Sequence, residues 1–115
     1  MAKKKTDRES RIEAEKARLN GVLDGLDANK LAIAQSLVDR AAFIAISLQD
    51  LENDLNKNGW VEEYQNGQNQ HGLKKSAAAE CHISLTKNLS TITKQLMEIA
   101  PAEQRHSKLQ ELMQQ

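Results

Sequence analysis

The sequence predicts an all-α protein built on a long antiparallel helical hairpin, and three observations predict it. Apolar residues recur at alternating spacings of four and three in two separate stretches, Leu37 to Leu55 and Leu85 to Ile99. Glycine and proline fall outside both stretches. No run of residues alternates with period two for long enough to build a sheet.

The elements divide the chain into a basic arm with a first helix (1–26), a hairpin core with its linker (27–100, linker 59–75) and a short C-terminal helix (101–115). The first helix is expected over Asp7 to Asn20. Its seam of Ile12, Leu19 and Leu23 is interrupted by Glu15 and Lys16, and Gly21 and Gly25 break it. Asp27 opens the second helix, because its carboxylate can accept from the free amides of a first turn. That helix runs to Asn58, where Gly59 is the stop signal, and a helix over 28–58 is about 46 Å long.

Leu37, Ala41, Ile44, Leu48, Leu51 and Leu55 form one heptad seam, which requires a partner helix. Leu31, Val38, Ala42, Ala45 and Ile46 form a neighbouring stripe, so the middle of this helix needs two partners. The matching seam of Leu85, Leu89, Ile92, Leu96 and Ile99 lies between Ser76, a capping residue, and Pro101, which stops the helix. Two seams joined by a compact linker give the hairpin. A hairpin of this kind leaves the second stripe exposed. The expectation is therefore that copies of the chain pack together through Leu31, Val38, Ala42 and Ile46. The final segment opens with Pro101 at a position suited to the first helical turn and carries Leu109 and Leu112.

The linker from Gly59 to Lys75 holds three of the five glycines and two of the three aromatics, Trp60 and Tyr64. Asn66-Gly67 suits a turn needing positive φ, and Val61 to Gln65 before it would make a short β-hairpin. An ordered loop pinned on the helix pair by Trp60 and Tyr64 reads the same residues equally well.

Composition narrows the class. Of 115 residues, 25 are Leu, Ile, Val or Phe and the net charge is zero, which together separate the chain from disordered sequences. With three aromatics the core is aliphatic and thin. A single cysteine, Cys81, excludes an internal disulfide framework and fits a reducing compartment. The longest wholly apolar run, Ala41 to Ile46, is far shorter than a membrane span, and no leader pattern opens the chain, so neither membrane insertion nor secretion is expected. Charge is uneven: residues 1–18 carry seven Lys or Arg against four Asp or Glu, and the remainder balances them. Such a basic head can track phosphates by releasing counterions, although three consecutive lysines also make an ordinary solvated terminus.

Candidate chemistry is sparse. Cys81 beside His82 and Glu80 could be read as an activated thiol. Neighbouring helix residues point about 100° apart, however, and the wheel places Cys81 near Ile92, facing the seam as a buried structural thiol. His71, His82, His106 and Cys81 match no zinc-ligand spacing, and the acidic pairs Asp24 with Asp27 and Asp50 with Asp54 read as solvated faces. No phosphate-binding loop, dinucleotide fingerprint or nucleophile elbow is present, so neither an active site, a metal nor a cofactor is expected.

The run Leu48-Gln-Asp-Leu51, the linker Gly59-Trp-Val-Glu-Glu-Tyr64-Gln-Asn-Gly67-Gln-Asn-Gln-His-Gly-Leu-Lys74-Lys-Ser76, and a long helix closing in Ile99-Ala-Pro101 with Arg105 together resemble the small subunit of phage terminase. The resemblance is to the group lacking an obvious N-terminal helix-turn-helix, covers Asp27 to Arg105, and is most specific at Tyr-Gln-Asn-Gly. The chain departs from it at Ser76, where many relatives carry proline, and in placing Arg105 four rather than three residues after Pro101.

The resemblance implies a non-catalytic packaging protein in the cytoplasm of an infected bacterium. Such a protein forms a ring, binds double-stranded viral DNA at the packaging start, and recruits or regulates the large subunit that holds the ATPase and nuclease. On that basis Lys3, Lys4, Lys5, Arg8 and Arg11 are the candidate DNA-backbone contacts, with Lys74 and Lys75 a second patch. Repetition of the basic head in a ring would add weak contacts together. The rival readings are a small helical DNA-binding regulator acting as a simple dimer and a catalytic accessory using Cys81 and His82.

Overall fold

A computed structural model describes residues 5–65, 67 and 71–101. It contains α1 (Asp7–Val22), α2 (Ala28–Asn58), β1 (Val61–Gln65), β2 (His71–Lys75) and α3 (Ala77–Ile99). Lys3, Lys4, Asn66 and the C-terminal segment beyond Pro101, with Arg105 and His106, lie outside the described residues.

Local signals set the helix ends. Asp27 caps α2 by accepting from the Lys30 amide at 2.9 Å, and Gly59 closes it with φ 87°, a backbone region that a side chain would strain. Ser76 caps α3 through the Ala79 amide at 3.1 Å. The start of α1 is a capping box: Thr6 accepts from the Glu9 amide at 3.0 Å while the Glu9 carboxylate accepts from the Thr6 amide at 3.3 Å. The helix passes through Gly21 and ends two residues later than expected, at Val22. Leu23, 1% exposed, anchors that end in the core, and the reversal falls at Gly25, with φ 97°. One interior glycine costs a helix about 1 kcal/mol, which the burial of Leu23 offsets.

Both apolar stripes of α2 are used within one chain. On the seam, Ala41, Ile44, Leu48 and Leu55 are buried and Leu37 and Leu51 half-buried, facing Leu89, Ile92, Leu96 and Ile99 of the antiparallel α3. The second stripe is covered by α1, a partner that the sequence reading assigned to other copies. Val38 and Ala42 are wholly buried, Ile46 is 3% exposed, and Leu31 packs on the core with Leu19, Val22 and Leu26. The α1 partners Asn20 to Gln35, Lys16 to Asp39 and Arg8 to Ser47 run in opposite order along the two helices, so α1 is antiparallel to α2. The exposed stripe expected for ring contacts is therefore absent at Val38, Ala42 and Ile46: a third helix of the same chain was available to cover it. By length and composition α2 could also cross a bilayer, and a third of its most apolar window is buried inside the chain.

The linker is a two-stranded antiparallel hairpin, the first of the two arrangements its residues allow. Val61 lies opposite Lys75, Glu62 opposite Lys74, Glu63 opposite Leu73, Tyr64 opposite Gly72 and Gln65 opposite His71. Gly67 takes φ 88°, the positive value read from the turn motif. The Ser76 amide donates to the Trp60 carbonyl at 3.0 Å, so the ladder ends where the α3 cap begins.

Candidate functional site

Antiparallel order brings the N-terminus of α1 to the C-terminal half of α2. Asp50, which meets Arg8 and Arg11, is eight residues, or about 12 Å of helix, from the end of α2 and the start of the hairpin. The start of α1 and the hairpin thus occupy one end of the molecule. Lys5, Lys74 and Lys75 are exposed there.

The two arginines are engaged inside the chain. Arg8 donates to Asp50 and, through its second terminal nitrogen, to the Ser47 hydroxyl at 2.6 Å, and its guanidinium lies 5.1 Å from the centre of the Phe43 ring. Arg11 donates to the other Asp50 oxygen at 2.8 Å and to the Gln49 side chain at 2.7 Å. One carboxylate therefore holds two guanidinium groups, each bond strengthened by charge on both partners. The hydrogen bond from Arg11, and then that from Arg8, keeps the Asp50 carboxyl below the usual aspartate range, and the same bond raises Arg11. A phosphate would have to compete with Asp50 for these groups. Of the residues predicted to contact DNA, Arg8 and Arg11 are thus brought together as a clamp between α1 and α2, and Lys74 pairs with Glu62 across the strands at 3.4 Å.

Trp60, an expected linker anchor, is 49% exposed and meets His82 of α3 edge to face, with ring centres 5.5 Å apart. The same imidazole meets Glu52 of α2, whose carboxylate lies 3.0 Å from Nε2. A Trp60, His82 and Glu52 chain therefore ties the root of the hairpin to both long helices. His82 is turned to Glu52 rather than to the thiol beside it.

Cys81 itself is exposed, not buried in the seam. The helical wheel assumes 3.6 residues per turn, whereas the seam repeats every 3.5. Over the eleven residues from Cys81 to Ile92 that difference amounts to about 30° and swings the thiol away from α2. Counting back from Leu85 by three reaches His82, the residue that does face α2. Among the described residues no group of three or more His, Cys, Asp or Glu could hold a metal ion. An open groove between α2 and α3, lined by Asp39, Arg40, Phe43, Ile44, Asn88, Thr91 and Ile92, gathers no paired acid, base or nucleophile.

Two features of this site were missed from the sequence. Thr6-x-x-Glu9 is a capping-box signature that would have fixed the start of α1. The Asp50 clamp has no local signal, since its partners lie 39 and 42 residues away. The chain matches no family model, no curated protein and no solved structure.

Proposed function

We propose that the chain acts as a phage-terminase-type small subunit. In this role it is a non-catalytic, ring-forming protein that binds double-stranded viral DNA at the packaging start and engages the large subunit. The observation that carries the reading is the shared end: the start of α1, from which the basic arm that would meet phosphate extends, lies at the same end as the hairpin, the segment in which the resemblance is most specific. Lys3, Lys4 and Lys5 carry the backbone contact. Arg8 and Arg11, held by Asp50, chiefly fix α1 so that the arm leaves from a defined place. In an assembly the arms would be repeated by symmetry and their weak contacts would add.

The test is the salt dependence of DNA binding by the full chain and by a Lys3→Gln, Lys4→Gln, Lys5→Gln variant. Loss of the arm should flatten the slope of log affinity against log salt by about one for each lysine that contacts a phosphate. An unchanged slope overturns the assignment. Binding by a simple dimer with an unaltered slope would favour the small helical regulator.

A further inference from the structure

We propose that copies of this chain join through the outer edges of the β-hairpin, β1 of one copy adding to β2 of the next. The inference rests on the assembly reading above and names its contact. The Ser76 amide bonded to the Trp60 carbonyl sets the alternation of the antiparallel ladder. Counting from it, Glu62 with Lys74 and Tyr64 with Gly72 bond inward, while the backbone N–H and C=O groups of Val61, Glu63, Leu73 and Lys75 point outward. Among the described residues nothing pairs with either outer edge.

A two-stranded ribbon is marginal in water unless a third strand or a helix supports it. The helices supply little support here. Extensive packing joins α1 to α2 and α2 to α3, while the hairpin is held at its root by Trp60 on His82. Val61 and Leu73 are consequently left 57% and 68% exposed, on one face of the ribbon.

Charge selects the way edges can meet. β1 carries Glu62 and Glu63, and β2 carries Lys74 and Lys75, all exposed. Pairing β1 with β1, or β2 with β2, sets like charges side by side, whereas β1 with β2 sets opposite charges together. The favoured contact is therefore head to tail, which either closes into a ring or continues as a filament. Lys74 and Lys75 serve the neighbouring copy in this arrangement rather than DNA.

The experiment is native mass spectrometry of the full chain as wild type, as Leu73→Pro, and as two charge reversals, Glu62→Lys with Glu63→Lys and Lys74→Glu with Lys75→Glu. The Leu73 amide points outward, so proline there removes an edge donor while keeping the bonds of the hairpin itself. The expected results are a discrete multi-copy mass for the wild type and a single-copy mass for Leu73→Pro with unchanged helical circular dichroism. Each reversal alone should also be single-copy, and an equal mixture of the two should regain an assembly containing both in equal number. A folding defect cannot produce that recovery. Retention of the wild-type mass by Leu73→Pro, or a mixture that stays single-copy, overturns the edge contact while leaving the packaging reading to the salt slope. A single-copy wild type overturns the edge contact and removes the ring from the packaging reading.

Discussion

The two long faces of α2 are closed by different physics. Against α3 it offers a heptad seam of Leu, Ile and Ala that interdigitates with Leu89, Ile92, Leu96 and Ile99. Against α1 it offers a stripe whose flanks are polar, and α1 itself contains no buried residue. Besides the packing of Leu19 and Val22 on the core, a row of directed contacts holds α1 in place, Arg8 and Arg11 to Asp50, Lys16 to Asp39 and Asn20 to Gln35. Apolar burial resists salt, whereas half-exposed ion pairs are screened by it. One side of α2 is therefore closed by apolar burial alone, and the other by apolar burial together with pairs that salt can screen, at the end where α1 begins.

The largest expected effect breaks the apolar side. Leu96, 5% exposed, sits in the cluster with Leu23, Ala34 and Val38 where all three helices meet. Leu96→Ala should lower stability by about 2–5 kcal/mol, read from chemical denaturation, because the cavity adds to the lost burial. A loss below about 1 kcal/mol would mean that the site collapses or that the seam is weaker than its spacing implies.

An intermediate effect separates the two faces. Asp50→Ala removes the partner of both arginines, and amide exchange should accelerate in α1 while remaining slow in the α2–α3 seam. Acid should act in the same way. The Asp50 carboxyl is held below its ordinary value, so its contribution is complete above about pH 3.9 and is lost as the pH falls through the depressed value. Salt should loosen α1 at neutral pH, since the Asp50 side chain is 41% exposed. Equal acceleration in all three helices would show that α1 is not separable from the rest.

The smallest effect sharpens the comparison at one helix end. Thr6→Ala removes half of the capping box and should cost about 1 kcal/mol, confined to the first turn of α1 and visible as faster exchange near Glu9. The same change at a cap of the seam helices, Ser76→Ala, provides the reference at the end of α3 beside the hairpin.

Legibility followed the range of the interaction. Asp27, Ser76 and Gly59 act within three or four residues, so the ends of α2 and α3 could be read directly, as could the positive φ at Gly67. The seam was equally readable, because periodicity reports a face without needing to know its partner. Cys81 was misplaced by extending an ideal wheel over a contact that repeats every 3.5 residues. Arg8 and Arg11 read from sequence as candidate DNA contacts because nothing near them in the chain shows that Asp50 approaches.

The sequence by itself determined that α2 needs two apolar partners, that one of them is α3, and that a turn-bearing linker separates them. Only the tertiary structure decided that the second partner is α1 of the same chain, that the linker becomes a hairpin with open edges, and that two of the expected DNA-binding arginines are spent on Asp50. The physical reason is that a burial pattern states how much surface must be covered, whereas the identity of the cover depends on which helix lies close enough to claim it.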